Sequence, residues 1–268
     1  MQKTILITGS TDGIGRETAR MLVAAGHHVL LHGRNREKLQ NVAEELDGLS
    51  GDGRVEQYVA DLSSLSDVEV LARAVTERHD TLDVLINNAG VLGASDTVTA
   101  DGLDIRFAVN TIAPWLLTQR LLPLLGTSGR VVNLSSAAQS PVDPAALRGA
   151  KRLSDQAAYA QSKLALTMWS RALALALGAD GAVVVAVNPG SMLGSKMVKE
   201  AFGAEGGDIG IGAEILVRAA LSDEFESASG KYFDNDAGRF ASPHPDVLDA
   251  RKYDEIVRII ESIVIDVT

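Results

Sequence analysis

The 268-residue sequence contains no cysteine. That excludes disulfide cross-links, a thiol nucleophile and thiolate metal sites. Aromatic residues are scarce, at 4% of the chain, which argues against a sugar site built on stacked rings. Basic residues are outnumbered, 25 Lys+Arg against 35 Asp+Glu, for a net charge of −10. Such an acidic chain lacks the basic footprint that a phosphate backbone requires, so nucleic acid is not an expected partner. Long hydrophobic runs are missing too. The most apolar stretches, 112–125 and 164–177, are interrupted by Gln119-Arg120 and Arg171, so neither reads as a membrane span. The run Thr4-Ile5-Leu6-Ile7-Thr8 is too short for a signal peptide and stops at Gly9. The expected location is cytoplasmic, with no membrane partner.

Hydrophobic residues make up 46% and charged ones 22%, the balance of a globular protein. No linker rich in Pro, Gly or Ser divides the chain and no repeat is present, so residues 1–268 are expected to form a single domain. Near-continuous Val/Ile/Leu runs at 3–8, 28–32, 55–60, 82–87, 130–135 and 182–188 read as strands buried on both faces. Segments of helical spacing lie between them, as at 15–25, 36–46 and 65–78. This rhythm predicts an α/β fold, a doubly wound parallel sheet with helices on both faces. Two irregular stretches, 138–157 and 192–212, are expected at the carboxyl ends of strands, where such sheets bind ligands. Surface insertions are the alternative.

Thr8-Gly9-Ser10-Thr11-Asp12-Gly13-Ile14-Gly15 follows the first strand and opens the first helix. Its glycines permit a tight turn and close approach of a pyrophosphate, and the helix start offers unpaired N–H donors and a positive dipole. Gly9, Ser10, Thr11, Asp12, Gly13, Ile14 and Gly15 are therefore expected to bind a dinucleotide. An acidic residue about 20 positions further on usually binds the adenosine ribose. Here Arg34-Asn35 stands in that place, and a guanidinium suits a 2′-phosphate. NADP(H) is accordingly expected in preference to NAD(H), with a solvated arginine as the alternative.

The glycine turn, Asn87-Asn88-Ala89-Gly90, Tyr159-Ala-Gln-Ser-Lys163 and Asn188-Pro189-Gly190 together resemble the short-chain dehydrogenase/reductase family, in its order and over nearly the whole chain. Tyr-x-x-Ser-Lys-Leu-Ala, the long connection before it and Ser229-Gly-Lys-Tyr-Phe233 are most similar to the retinol-dehydrogenase-like branch. The resemblance implies a Rossmann-type fold and an oxidoreductase interconverting a small-molecule carbonyl and alcohol. It implies a catalytic tetrad of Asn110, Ser136, Tyr159 and Lys163, with Ser136 favoured over the adjacent Ser135. It also implies cofactor contacts from Asp61 and Leu62 at the adenine, from Asn88, Ala89 and Gly90, from Tyr159 and Lys163, and from Pro189 and Gly190 over the nicotinamide. A structural role near Pro114 is the alternative for Asn110, and a helix-start aspartate for Asp61. A catalytically silent NADP(H)-sensing regulator is the rival function, and the intact tetrad argues against it.

Tyr159 and Lys163, four residues apart, share one helix face. An ammonium ~4 Å from a phenol is worth roughly 4 kcal/mol at an effective dielectric of ~20, enough to draw tyrosine from its ordinary pKa of about 10 towards neutrality. Residues 191–212 are the expected substrate loop. Helices at 112–125 and 159–177, apolar around much of their circumference, suggest a homodimer or homotetramer. A last helix at 251–264 places Ile256, Ile259, Ile260 and Ile263 towards the core. The five histidines show no metal-ligand spacing and suggest only surface or packing roles, so no metal is expected.

Overall fold

Successive residues of the apolar runs point to opposite sides of a sheet, and here both sides are covered. The computed structural model describes residues 1–49 and 51–267. Six parallel strands, β1 (Thr4–Ile7), β2 (His28–Gly33), β3 (Arg54–Val59), β4 (Val84–Asn87), β5 (Arg130–Leu134) and β6 (Val183–Asn188), fall where the sequence predicts them. The short strands β7 (Tyr232–Asp234) and β8 (Arg239–Ala241) extend the sheet, β8 antiparallel to β7. The order is β3-β2-β1-β4-β5-β6-β7-β8. It reverses between β1 and β4, so the ligand crevice of such a sheet opens at their carboxyl ends.

The helices are α1 (Gly13–Ala24), α2 (Arg36–Asp47), α3 (Leu65–Thr76), α4 (Ile105–Phe107), α5 (Ala113–Leu125), α6 (Pro144–Leu147), α7 (Asp155–Leu177), α8 (Lys196–Phe202), α9 (Ile209–Leu221), α10 (Pro245–Leu248) and α11 (Ala250–Val267). Leu6, Leu30, Leu85 and Val131 face a core shared with α3, α5, α7 and α11. Their neighbours Ile5, Ile7, Val29, Leu31, Ile86 and Val132 face a second core shared with α1, α2 and α9. The sheet is thus apolar on both sides, which accounts for the unbroken Val/Ile/Leu runs.

Several boundaries differ from expectation. Stretch 138–157 contains the single turn α6, capped by the Asp143 carboxylate, which accepts from the Ala145 amide at 2.9 Å. Stretch 192–212 contains α8 and the start of α9. The apolar circumference of 112–125 and 159–177 is explained within the chain. Trp115 and Trp169 meet edge to face at 5.5 Å, α3 packs on α5, and α10 and α11 cover α7. Those contacts cover much of both helices from within the chain, while Leu175 on α7 stays exposed. Ile256, Ile259, Ile260 and Ile263 are all buried beneath α11, as expected. Among the described residues no helix is long and apolar enough to cross a membrane.

Candidate active site

The crevice starts at the glycine turn. Gly9 and Gly13 adopt left-handed φ values of 66° and 58°, conformations that disfavour a side chain. A Cβ on Gly9 would lie 2.9 Å from Ala89 Cα, and one on Gly15 would lie 2.3 Å from both Asn88 Nδ2 and the Gly9 carbonyl. The turn is closed against the end of β4. Asn88 Nδ2 donates to the Thr8 and Gly9 carbonyls at 2.9 and 3.0 Å, and the Asn88 and Ala89 amides donate to Thr8 Oγ1, each at 3.1 Å. Asp12 caps α1, accepting from the Gly13 amide at 2.8 Å. The first-turn N–H groups of Ile14 and Gly15 have no helical carbonyl before them and point out of the helix start.

Ser10 is committed to β2. Its amide donates to the His32 carbonyl at 2.9 Å, and its hydroxyl accepts from the His32 amide, also at 2.9 Å. Its part is to hold the turn. His32, for which the sequence suggests no more than packing, holds it as well. Its Nδ1 accepts from the Gly9 amide at 3.1 Å, while Nε2 lies 3.2 Å from the Ala60 carbonyl. That pair of partners fixes the Nε2–H tautomer. Burial pushes the His32 imidazole down to about 4, so it is neutral at pH 7. Gly33 next to it is required by Thr11, whose Cγ2 would lie 2.5 Å from an added Cβ.

Arg34 follows at the end of β2. It is exposed, and neither it nor Arg36 nor Lys38 forms an ion pair among the described residues. Asn35 caps α2, its Oδ1 accepting from the Lys38 amide at 2.9 Å. Asp61 accepts from the Ser63 amide and hydroxyl at 2.9 and 2.8 Å. The Leu62 side chain is buried in the core.

The chemical groups lie one strand further along. Ser154 caps α7, its Oγ accepting from the Ala157 amide at 3.4 Å. Lys163 is buried, and its Nζ donates to the Leu134 carbonyl at 2.7 Å. It stands 5.7 Å from the centre of the Tyr159 ring. A Cβ on Gly90 would lie 3.5 Å from Lys163 Nζ and 3.4 Å from Asn110 Oδ1, so the glycine leaves space beside the ammonium. Ser136 is the side chain that acts on the Tyr159 phenol, favouring its ionised form, and its Oγ accepts from the Ala138 amide at 3.1 Å. Ser135 faces the opposite way, 2.7 Å from Thr167 Oγ1. This is the alternation expected at a strand end, and it separates the two serines.

One electrostatic expectation fails. Burial pushes the Tyr159 phenol up, with the Ser136 hydrogen bond working in the opposite direction. Burial pulls Lys163 down to about 8. The direct acidification of Tyr159 assumed an ammonium ~4 Å away. Here the ammonium is turned to Leu134, and desolvation governs both groups.

Asn110 lies in a π-helical turn, Ala108–Ile112, between α4 and α5. Its amide is fully engaged: Oδ1 accepts from the Val91 amide at 2.8 Å, and Nδ2 donates to the Val91 carbonyl at 2.9 Å and Ser162 Oγ at 3.0 Å. It pins the segment after Gly90 to α7. Arg106, unmarked by any sequence signal, does similar work. Almost wholly buried, it pairs with Asp104 at 2.7 Å and Asp155 at 2.8 Å.

The turn after β6 completes the crevice. Gly190 has φ 121°. Asp236, on the β7–β8 hairpin, accepts from the Ser191 amide at 2.8 Å, the Ser191 hydroxyl at 2.6 Å and Asn188 Nδ2 at 2.9 Å. Asn235 Nδ2 donates to the Pro189 carbonyl at 2.9 Å. Burial opposes ionisation of Asp236, but the hydrogen bonds from Ser191 and Asn188 outweigh it and hold its carboxyl below the usual range. Met192 follows with a left-handed φ of 53°, and Leu193 folds back to within reach of Ile14 and Gly212. Neither periodicity nor hydropathy marks a hairpin of three-residue strands, so sequence reasoning misses both anchoring residues, Asn235 and Asp236.

A doubly wound sheet with a glycine turn at its reversal, and Ser, Tyr and Lys grouped beside it, defines a dinucleotide-dependent oxidoreductase architecture. The sequence model of the short chain dehydrogenase family matches residues 3–206. Retinol dehydrogenase 13 of Mus musculus is 33% identical over 260 residues, covering 90% of this chain and 78% of that protein. A crystal structure of an uncharacterised protein from Mycobacterium Paratuberculosis superimposes with a TM-score of 0.80 at 27% identity, covering 98% of this chain and 93% of that one. A short chain dehydrogenase from Shigella flexneri, complexed with NADP, gives a TM-score of 0.69 at 30% identity, covering 87% and 97%. The chain belongs to the short-chain dehydrogenase family, in its retinol-dehydrogenase-like branch.

Proposed function

We propose that the protein is an NADP(H)-dependent oxidoreductase that interconverts a carbonyl and an alcohol, with Tyr159 as general acid and base. The observation that carries this reading is the grouping of Ser136, Tyr159 and Lys163 beside Gly90, in the crevice whose other end carries the unpaired Arg34. The residues present fit the dinucleotide: Gly9 and Gly15 let the turn pack closely on Asn88 and Ala89, and the helix start there is free to take a pyrophosphate. When bound, the nicotinamide supplies or accepts the hydride.

In the reductive direction the Tyr159 hydroxyl gives its proton to the substrate oxygen, and the Ser136 hydroxyl steadies the charge that develops there. A phenol kept protonated by burial is suited to that direction. Lys163, lowered to about 8, still carries its charge at pH 7 beside the tyrosine and holds the ribose side of the crevice. Asn110 positions the Gly90–Val91 segment. Gly9, Thr11, Asp12, Gly13, Ile14 and Gly15 take the pyrophosphate, with Arg34 on the 2′-phosphate. Pro189 and Gly190 cover the nicotinamide. The relatives include proteins named for retinol and polyprenol, which favours apolar alcohols and their carbonyl counterparts as the first candidate substrates.

The test is a turnover screen over apolar aldehydes, ketones and alcohols, followed through NADPH and NADH absorbance. Turnover with NADPH well above that with NADH supports the reading. NADPH binding without turnover of any substrate supports the silent sensor instead.

A further inference from the structure

At the amino ends of the strands, one strand length from the crevice (roughly 20 Å), lies a second chemical cluster. His28 opens β2, Glu56 lies on β3, and His79 follows α3. His28 pairs in register with Arg54 and Leu30 with Glu56, so His28 and Glu56 project from the same face of the sheet. The end of α3 returns His79 to that face, its amide donating to the Val75 carbonyl at 3.0 Å. His28 Nε2 stands 3.1 Å from one Glu56 oxygen, and His79 Nε2 stands 3.2 Å from the other. One ligand atom from each of the three residues lies within 4.8 Å of the others.

The geometry points to a binding site for a divalent transition ion of the zinc type, held by His28, Glu56 and His79. Zinc bonds to nitrogen and oxygen of about 2.0–2.1 Å put neighbouring ligands of a tetrahedron roughly 3.3 Å apart, close to the spacing found. The donor set, two imidazoles and a carboxylate, suits zinc and leaves a fourth position for water. All three side chains are partly exposed, at 18%, 32% and 11%, so an ion can reach them. The Tyr58 hydroxyl donates to Glu56 at 3.0 Å and orients its carboxylate, the kind of supporting bond that metal ligands commonly receive. Burial keeps His28 below the usual histidine range. Burial also works against ionised Glu56, but the Tyr58 hydrogen bond and the two histidines outweigh it and hold the carboxyl low.

Two cations adjoin the cluster, Arg54 and Arg78, the latter 5.7 Å over the Tyr58 ring. Both are exposed, where solvent screens them. The three ligands stand far apart in the chain, on three separate elements, which is why no local spacing announces them. The ion would tie the edge strand β3 to β2 and to the end of α3, stabilising the folded chain by binding it alone.

The experiment uses the full chain, stripped with EDTA and titrated with Zn²⁺ by calorimetry, with melting temperature followed in parallel. The wild type is expected to take up one equivalent and to melt higher with Zn²⁺. Glu56→Gln, which keeps volume and a hydrogen-bond acceptor, and His79→Ala are expected to lose about tenfold or more in affinity. His27→Ala is expected to behave as wild type, since His27 Nδ1 accepts from the Lys3 amide instead. Absence of saturable Zn²⁺ binding would overturn the site, as would undiminished binding in both folded variants or an equal loss in His27→Ala.

Discussion

The Nδ1 of His32 accepts the amide hydrogen of Gly9 at 3.1 Å, so a neutral imidazole at the end of β2 holds the glycine turn at the end of β1. Protonation destroys that acceptor. In the unfolded chain this histidine titrates near 6.5, and in the folded chain burial lowers it to about 4. The unfolded state therefore binds more protons between those values, and stability is full above pH 6.5 and falls as pH drops towards 4. A shift of this size corresponds to about 3 kcal/mol. Denaturant melts across the weakly acidic range are expected to show that loss in the wild type and a flatter profile in His32→Gln, whose amide offers donor and acceptor without titrating. NADPH affinity of the folded protein is expected to hold across that window and to decline only as pH nears 4, where the folded-state imidazole takes up its proton.

Asp236 anchors the turn after β6, proposed to cover the nicotinamide, through Ser191 and Asn188. Asp236→Ala is expected to raise the KM for NADPH about tenfold, the effect of losing roughly 1.4 kcal/mol of preorganisation, with a smaller change in kcat. Asp236→Asn, which keeps an acceptor, is expected to fall between. Steady-state kinetics with varied NADPH separate the two parameters. A change confined to kcat would place Asp236 elsewhere in the cycle.

Arg34 is proposed to carry the coenzyme preference. Arg34→Asp removes a charge-assisted bond worth about 1.5–3 kcal/mol and sets a carboxylate where a 2′-phosphate would lie. NADPH affinity is expected to fall about 10–100-fold while NADH is affected less. The ratio of kcat/KM for the two coenzymes reads this effect. An unaltered ratio assigns Arg34 to the surface.

The sequence makes the six parallel strands legible because a sheet buried on both faces has to be apolar throughout, and Val29, Leu30 and Leu31 are all fully buried. It makes the glycine turn legible because Gly9 needs a left-handed φ. Strand alternation sets Ser135 and Ser136 on opposite sides, and the family resemblance picks Ser136. The sequence does not show β7 and β8, because three-residue strands have too short a period to read. With them it misses Asp236, which acts across 45 residues of sequence on Ser191. Nor does it show that burial dominates Tyr159 and Lys163, since helix spacing gives the shared face but not which way an ammonium turns. For the apolar helices 112–125 and 159–177, composition reveals that faces are covered, while only the fold reveals that α3 packs on the first and α11 on the second.

The proton-transfer role of Tyr159 is decided by Tyr159→Phe, in which carbonyl turnover is measured alongside NADPH binding by fluorescence titration. The expected dissociation constant lies within about threefold of wild type, and turnover is expected to fall about 10²–10⁴-fold, the range for a positioned acid–base group. Turnover near the wild-type rate, in a variant that binds NADPH normally, would contradict the assignment of that hydroxyl as proton donor and acceptor.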